Sequence, residues 1–137
     1  MTTAFREGMN SFEISKLTGI PLRTLQSWHQ KKILLFSNEP GTGKKILWKR
    51  KHIREIRILR QFRDQGISMQ LMKKAMDYMR DILGHNPLSS GHFIIVFDKN
   101  KKPTNLIKID TEGKAIETIN KYQGQYLLSF IDNKNEQ

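Results

Sequence analysis

With 137 residues, 37% of them hydrophobic, the chain is long enough for one domain, or for a small domain with an appended module, around one modest core. It has no cysteine, which rules out disulfides, thiolate metal sites and cysteine redox chemistry, and it has no run of about 18 apolar residues that would make a membrane helix. The formal net charge of +11 is unevenly placed: residues 1–83 carry 17 Lys and Arg, with all eight arginines, against 7 Asp and Glu, while residues 84–137 carry 7 Lys against 6 acids.

That asymmetry predicts that the first part meets a polyanion and the second does not, the alternative being a merely solvated basic surface. The opening MTTAFREGMN lacks the apolar core of a signal peptide, so a cytoplasmic protein is expected, and a nucleoid-associated one where the polyanion is DNA.

In chain order, Asn10 followed by Glu13 has the spacing of a capping box, so a first helix starts near residue 11 and ends at Gly19. A second helix follows from about Pro21 to Lys31. Leu22, Leu25 and Trp28 lie on its packing side, with Arg23, Thr24, Gln26, Ser27, His29 and Gln30 between them. Two short helices joined by a glycine turn make a helix-turn-helix, and the second is its recognition helix.

Leu34–Phe36 and Ile46–Trp48 are short apolar runs suited to strands, separated by the turn-rich Asn38–Gly43, and together they predict a β-hairpin wing over about Leu35–Trp48. Pro40–Lys45 contains glycines before a lysine, but a phosphate-binding loop needs glycine where Asn38 stands and Ser or Thr where Lys45 stands, so nucleotide hydrolysis is not expected. At the tip of a wing, Lys44 and Lys45 would instead face DNA phosphates.

Ile53, Ile56, Leu59 and Phe62 share one stripe of a third helix ending at Gly66, and Arg54, Arg57, Arg60 and Arg63 run one step round from it. Ser68 is placed to cap a fourth helix. In it Met69, Met72, Met76, Met79 and Leu83 recur at helical spacing, a pattern read as intramolecular core because two heptads are too short for a coiled coil.

Residues 84–91, with two glycines and a proline, form a linker. Beyond it His92–Phe97 is a continuous apolar run suited to a strand covered on both faces. Leu106–Ile109 should pair back on it, Ala115, Ile116 and Ile119 mark a short helix, and Gln125–Ile131 a last strand. The fold class is therefore α+β: a four-helix winged unit over 1–83 and a small ββαβ module over 92–137. So small a module needs an outside surface to cover it, either the first domain or a second copy of the chain, and the second copy is the preferred one.

Over about residues 11–83 the pattern resembles the MerR-type winged helix-turn-helix regulators. The resemblance rests on Leu17-Thr18-Gly19-Ile20 at the turn, Arg23-Thr24-Leu25 opening the second helix, Ile33-Leu34 after it, the wing, and Gly66-Ile67-Ser68-Met69 between the third and fourth helices. It implies double-stranded DNA as partner and transcription regulation as the role, with Arg23, Thr24 and Gln26 in DNA-facing positions and Trp28 where the family's tyrosine reaches a phosphate.

Ser27 and His29 on the same helix, Lys44 and Lys45 on the wing, and Lys49, Arg50 and Arg54 around the third helix complete the expected DNA-binding set. Gln26, Ser27 and His29 depart from the family's Arg, aromatic and Glu, and Ile46 and His52 replace its wing arginine and its acid. Gly84 and Pro87 interrupt the pattern where the family's long dimerisation helix would begin, so a homodimer is expected through the C-terminal module instead.

Two other roles are weighed: an excisionase- or partition-like architectural DNA-binding protein, and a basic scaffold for an acidic protein or membrane surface. No histidine pair at i, i+4, no Ser-His-Asp set and no carboxylate dyad is present, so no enzyme, cofactor or metal site is expected, and a small-molecule effector is left open.

Overall fold

A computed structural model of the chain describes residues 4–36, 46–84 and 90–132. Four helices come first: α1 (Ser11–Thr18), α2 (Leu22–Gln30), α3 (Arg50–Asp64) and α4 (Met69–Leu83). Then follow β1 (Gly91–Phe97), β2 (Pro103–Ile109), α5 (Glu112–Lys121) and β3 (Tyr126–Asp132).

The capping box forms as read: the Asn10 side chain accepts from the Glu13 N–H at 2.8 Å, and the Glu13 carboxylate accepts from the Asn10 N–H at 3.1 Å. Gly19, at φ 75°, takes the left-handed conformation that ends α1 and turns the chain into α2. Ser68 caps α4 by accepting from the Leu71 N–H at 3.2 Å. The methionine seam is internal, with Met72, Met76 and Met79 all buried.

Helix α3 starts at Arg50, three residues before the apolar stripe. The reason is local: the His52 ring turns back and its Nδ1 accepts from the Lys49 N–H at 2.9 Å, satisfying an otherwise unpaired donor at the helix start. Neither Leu34–Phe36 nor Ile46–Trp48 is strand. Both runs are drawn into packing: Ile33, Leu34, Phe36 and Trp48 are buried in the core, and the wing tip with Lys44 and Lys45 lies outside the described residues.

The three strands form an antiparallel sheet in the order β2-β1-β3. Alternation along β1 sends Phe93, Ile95 and Phe97 to one face, with Leu128 and Phe130 of β3, into the same core as Leu25, Trp28, Ile56 and Phe62. Ile94 and Val96 face the other way, where Ile109, Ile107, Ala115, Tyr122 and Leu127 close a second, smaller cluster under α5. Both faces are covered, as the unbroken apolar run requires.

The surface that covers the inner face is the chain's own, not a second copy. Phe130 meets Phe62 of α3 edge-on at 5.6 Å and stacks on Phe93 at 5.5 Å. Along the open edge of β3, Gln61 of α3 donates to the Ile131 carbonyl at 2.7 Å and accepts from the Ile131 N–H at 2.8 Å, and Gln65 donates to the Ser129 carbonyl at 2.8 Å. Two glutamines one helical turn apart thus occupy the backbone groups that another strand would need.

Candidate nucleic-acid interface

The helix-turn-helix is held by its own polar groups. The Ser15 hydroxyl donates to the Ile20 carbonyl at 2.6 Å, the Thr18 hydroxyl donates to the Ile14 carbonyl at 2.8 Å, and Arg60 of α3 donates through Nη1 to the Thr18 carbonyl at 3.0 Å. A helix end that lacks intrahelical partners is thereby satisfied, and α1 is fastened to α3. On α2, Leu25 and Trp28 face the core, being 2% and 1% exposed.

The opposite side of α2 presents Arg23, Gln26 and Gln30 to solvent, spaced as one helical stripe, with Thr24, Ser27 and His29 half-buried at its margins. Gln30 was not among the expected contacts; its place seven residues along from Arg23 and four from Gln26 is the signal that marks it. Arginine and glutamine both carry forked donors or acceptors that can pair with base edges in a major groove. The stripe has the chemistry of a reading face.

Three expected contacts are relocated. Trp28 follows Leu25 on the packed face, so its ring is core and cannot reach a phosphate. The Ser27 hydroxyl turns toward α4 and meets the Met69 sulfur at 3.9 Å. Arg54 grips Asp132 at the end of β3, with Nε 3.3 Å from one carboxylate oxygen and Nη2 on the other; Asp132 is only 5% exposed, so the pair joins α3 to the sheet.

An Arg54→Gln variant is therefore expected to lose about 2–3 kcal/mol of stability, because it strands a buried carboxylate, while leaving the salt dependence of DNA binding unchanged. Urea unfolding and binding titrations at several salt concentrations measure the two quantities separately. A weaker salt slope in this variant would restore Arg54 to the DNA face.

At the start of α3, Lys49, Arg50 and Lys51 are exposed and the first turn contains no acid. Cations at the positive end of a helix dipole are locally unfavourable, and an anion docking there relieves them. The Arg50 guanidinium also lies 5.7 Å from the Phe5 ring. Of the arginine row, Arg63 is exposed, while Arg60 is committed to the turn.

The two ends of the expected wing are clamped by aromatic packing. His29 meets Phe36 at 4.8 Å, Phe36 meets Trp48 at 5.0 Å and His52 at 4.4 Å, and the Trp48 indole N–H donates to the Ser11 hydroxyl at 3.1 Å. His52 is 1% exposed and its pKa is lowered to about 4, chiefly by burial and secondarily by neighbouring Lys51, Lys49 and Arg80. With Nδ1 accepting from Lys49, Nε2 is the protonated nitrogen and donates to the Leu35 carbonyl at 2.9 Å.

Among the described residues no cluster of His, Asp and Glu could hold a metal ion, and no helix is long and apolar enough to cross a membrane. Compared with known families, residues 9–79, just over half of the chain, match the one described as MerR HTH family regulatory protein. No curated protein matches the chain.

Proposed function

The chain belongs to the MerR HTH family of regulatory proteins, and on that premise we propose that it is a sequence-specific transcriptional regulator working on nucleoid DNA in the cytoplasm. Helix α2 lies in the major groove with Arg23, Thr24, Gln26 and Gln30 toward the bases. Lys49 and Arg50, with Lys44 and Lys45 of the wing segment, hold flanking phosphates. The observation that carries this reading is the exposed stripe of forked side chains on a helix whose other side is locked in the core.

A second copy meets the first through the outer side of the C-terminal module. Support comes from Ile116 and Ile119 of α5 and Ile131 of β3, which are 55%, 52% and 57% exposed. Sedimentation of the wild type and of an Ile116→Glu, Ile119→Glu variant tests this: the first is expected to be a dimer and the second a monomer.

Selection of bound sites from random duplexes tests the function itself. An enriched site with two-fold symmetry is expected; recovery of the input population would overturn sequence-specific binding. On the selected site, Gln26→Ala is expected to cost about 1–3 kcal/mol of binding and to relax preference at one base pair, with the salt slope unchanged.

A further inference from the structure

Residues 84–137 are nearly neutral as a whole, yet their lysines are not spread evenly. Lys99, Lys101 and Lys102 all stand exposed in the turn between β1 and β2. The turn is firmly closed: the Asp98 N–H donates to the Lys102 carbonyl and the Lys101 N–H to the Asp98 carbonyl, each at 2.9 Å. The Asp98 carboxylate accepts from the N–H groups of Asn100 and Lys102 at 2.9 and 3.0 Å. The acid is thus turned back on the backbone, and Lys101 is held at φ 62°. None of the three lysines forms an ion pair with a described residue.

Contacts along the helices fix where this turn lies. Strand β3 runs antiparallel to α3, because Arg54 meets Asp132, Gln61 meets Ile131 and Gln65 meets Ser129. Phe97, the last residue before the turn, pairs with Tyr126, three residues farther along than Ser129. The turn therefore projects roughly 10–15 Å past the C-terminal end of α3 at about 3.3 Å per strand residue.

Helix α2 starts from that same end. Ser27 contacts Met69 at the start of α4, and farther on Arg80 donates to the Ile33 carbonyl at 2.7 Å, so α2 and α4 run in the same direction. The N-terminus of α2, with Arg23, therefore points toward the junction of α3 and α4, beyond which the lysine turn also projects. Arg60 near the C-terminal end of α3, bonded to Thr18 at the helix-turn-helix turn, agrees with this placement.

We infer that the β1–β2 turn is a phosphate-binding hairpin, whose Lys99, Lys101 and Lys102 grip the duplex backbone beside the site read by α2. The inference rests on the DNA-binding reading above and extends it to the module that charge counting had set apart from DNA. The turn and the N-terminus of α2 project toward the same end of the molecule, which puts the turn on the side where backbone flanking the reading face would pass.

The test combines two measurements on the full chain. Wild-type affinity is compared on duplexes that end at the selected site and on duplexes extended by about half a helical turn on each side, and the extension is expected to tighten binding several-fold. The variant Lys99→Gln, Lys101→Asn, Lys102→Gln keeps a residue tolerant of the left-handed conformation at 101. It is expected to bind the long duplex about tenfold more weakly at 0.1 M salt, to lose roughly 2 from the salt slope, and to gain nothing from the extension.

Wild-type binding that ignores duplex length, or an unchanged salt slope in the variant, overturns the hairpin contact and leaves the DNA-binding function standing. A wild-type chain that binds no duplex of either length overturns both.

Discussion

Phe130→Ala is expected to destabilise the whole protein, and not only its C-terminal module, by about 3–5 kcal/mol. Phe130 is 1% exposed and stands between Phe62 of α3, itself fully buried, and Phe93 of β1. Truncation there leaves a cavity on the buried side of α3, the helix that also carries Arg60 and so holds the helix-turn-helix turn. Urea unfolding followed by tryptophan fluorescence is a fitting probe, because Trp28 and Trp48 both lie in the N-terminal part.

One cooperative transition shifted to lower urea is expected, with DNA binding lost at the temperature where the variant unfolds. A loss below about 1 kcal/mol, or two separate transitions, would mean that the sheet is a lodger on the helices rather than part of their core. For the same reason, a fragment ending at residue 84 is expected to unfold or aggregate, since it would bare the faces of α3 and α4 that now meet Phe93, Ile95, Phe97, Leu128 and Phe130.

Acid is expected to weaken the fold through His52 in a defined window. The unfolded chain binds a proton at this imidazole near the ordinary value of 6.5, whereas the folded chain resists it down to about 4. Between those values the unfolded state carries the extra proton, so stability falls as pH falls, by about 3 kcal/mol in total, and levels off once both states are protonated.

The physical cause is the hydrogen-bond pattern as well as burial. Protonating Nδ1 would replace the acceptor of the Lys49 N–H with a second donor, beside Lys49 and Lys51. His52→Gln should lower stability at pH 7 and flatten the dependence between pH 6.5 and 4. A slope of the same size in that variant would assign the acid sensitivity to other groups.

Much of this architecture can be read along the chain because its signals are local. Asn10 with Glu13, Gly19 and Ser68 mark helix ends through bonds to backbone groups within a few residues, and each helix and each strand of the sheet falls within a few residues of its expected place, whereas Leu34–Phe36 and Ile46–Trp48, expected as wing strands, are not strand. The start of α3 at Arg50 lies before its apolar stripe and carries no ordinary signal, because a histidine fills the place that a capping acid or amide usually takes, and its ring nitrogen does the same work. Residue type misled where function was carried over by position. Trp28 looks like a phosphate contact in sequence, but three residues after Leu25 it falls on the packed side of α2.

The sequence by itself determined the helix-turn-helix, the order of the helices and of the sheet strands, the family and the basic character of the first 83 residues, since periodicity, caps and charge depend on neighbours in the chain. Only the tertiary structure decided which charges are free and what the last strands cover. Arg54 is spent on Asp132, 78 residues away, and Gln61 and Gln65 close the edge of β3. Such pairings depend on which surfaces meet when the sheet docks on α3. No spacing along the chain encodes that meeting, because an arginine facing a phosphate and one facing a buried carboxylate have the same neighbours in sequence.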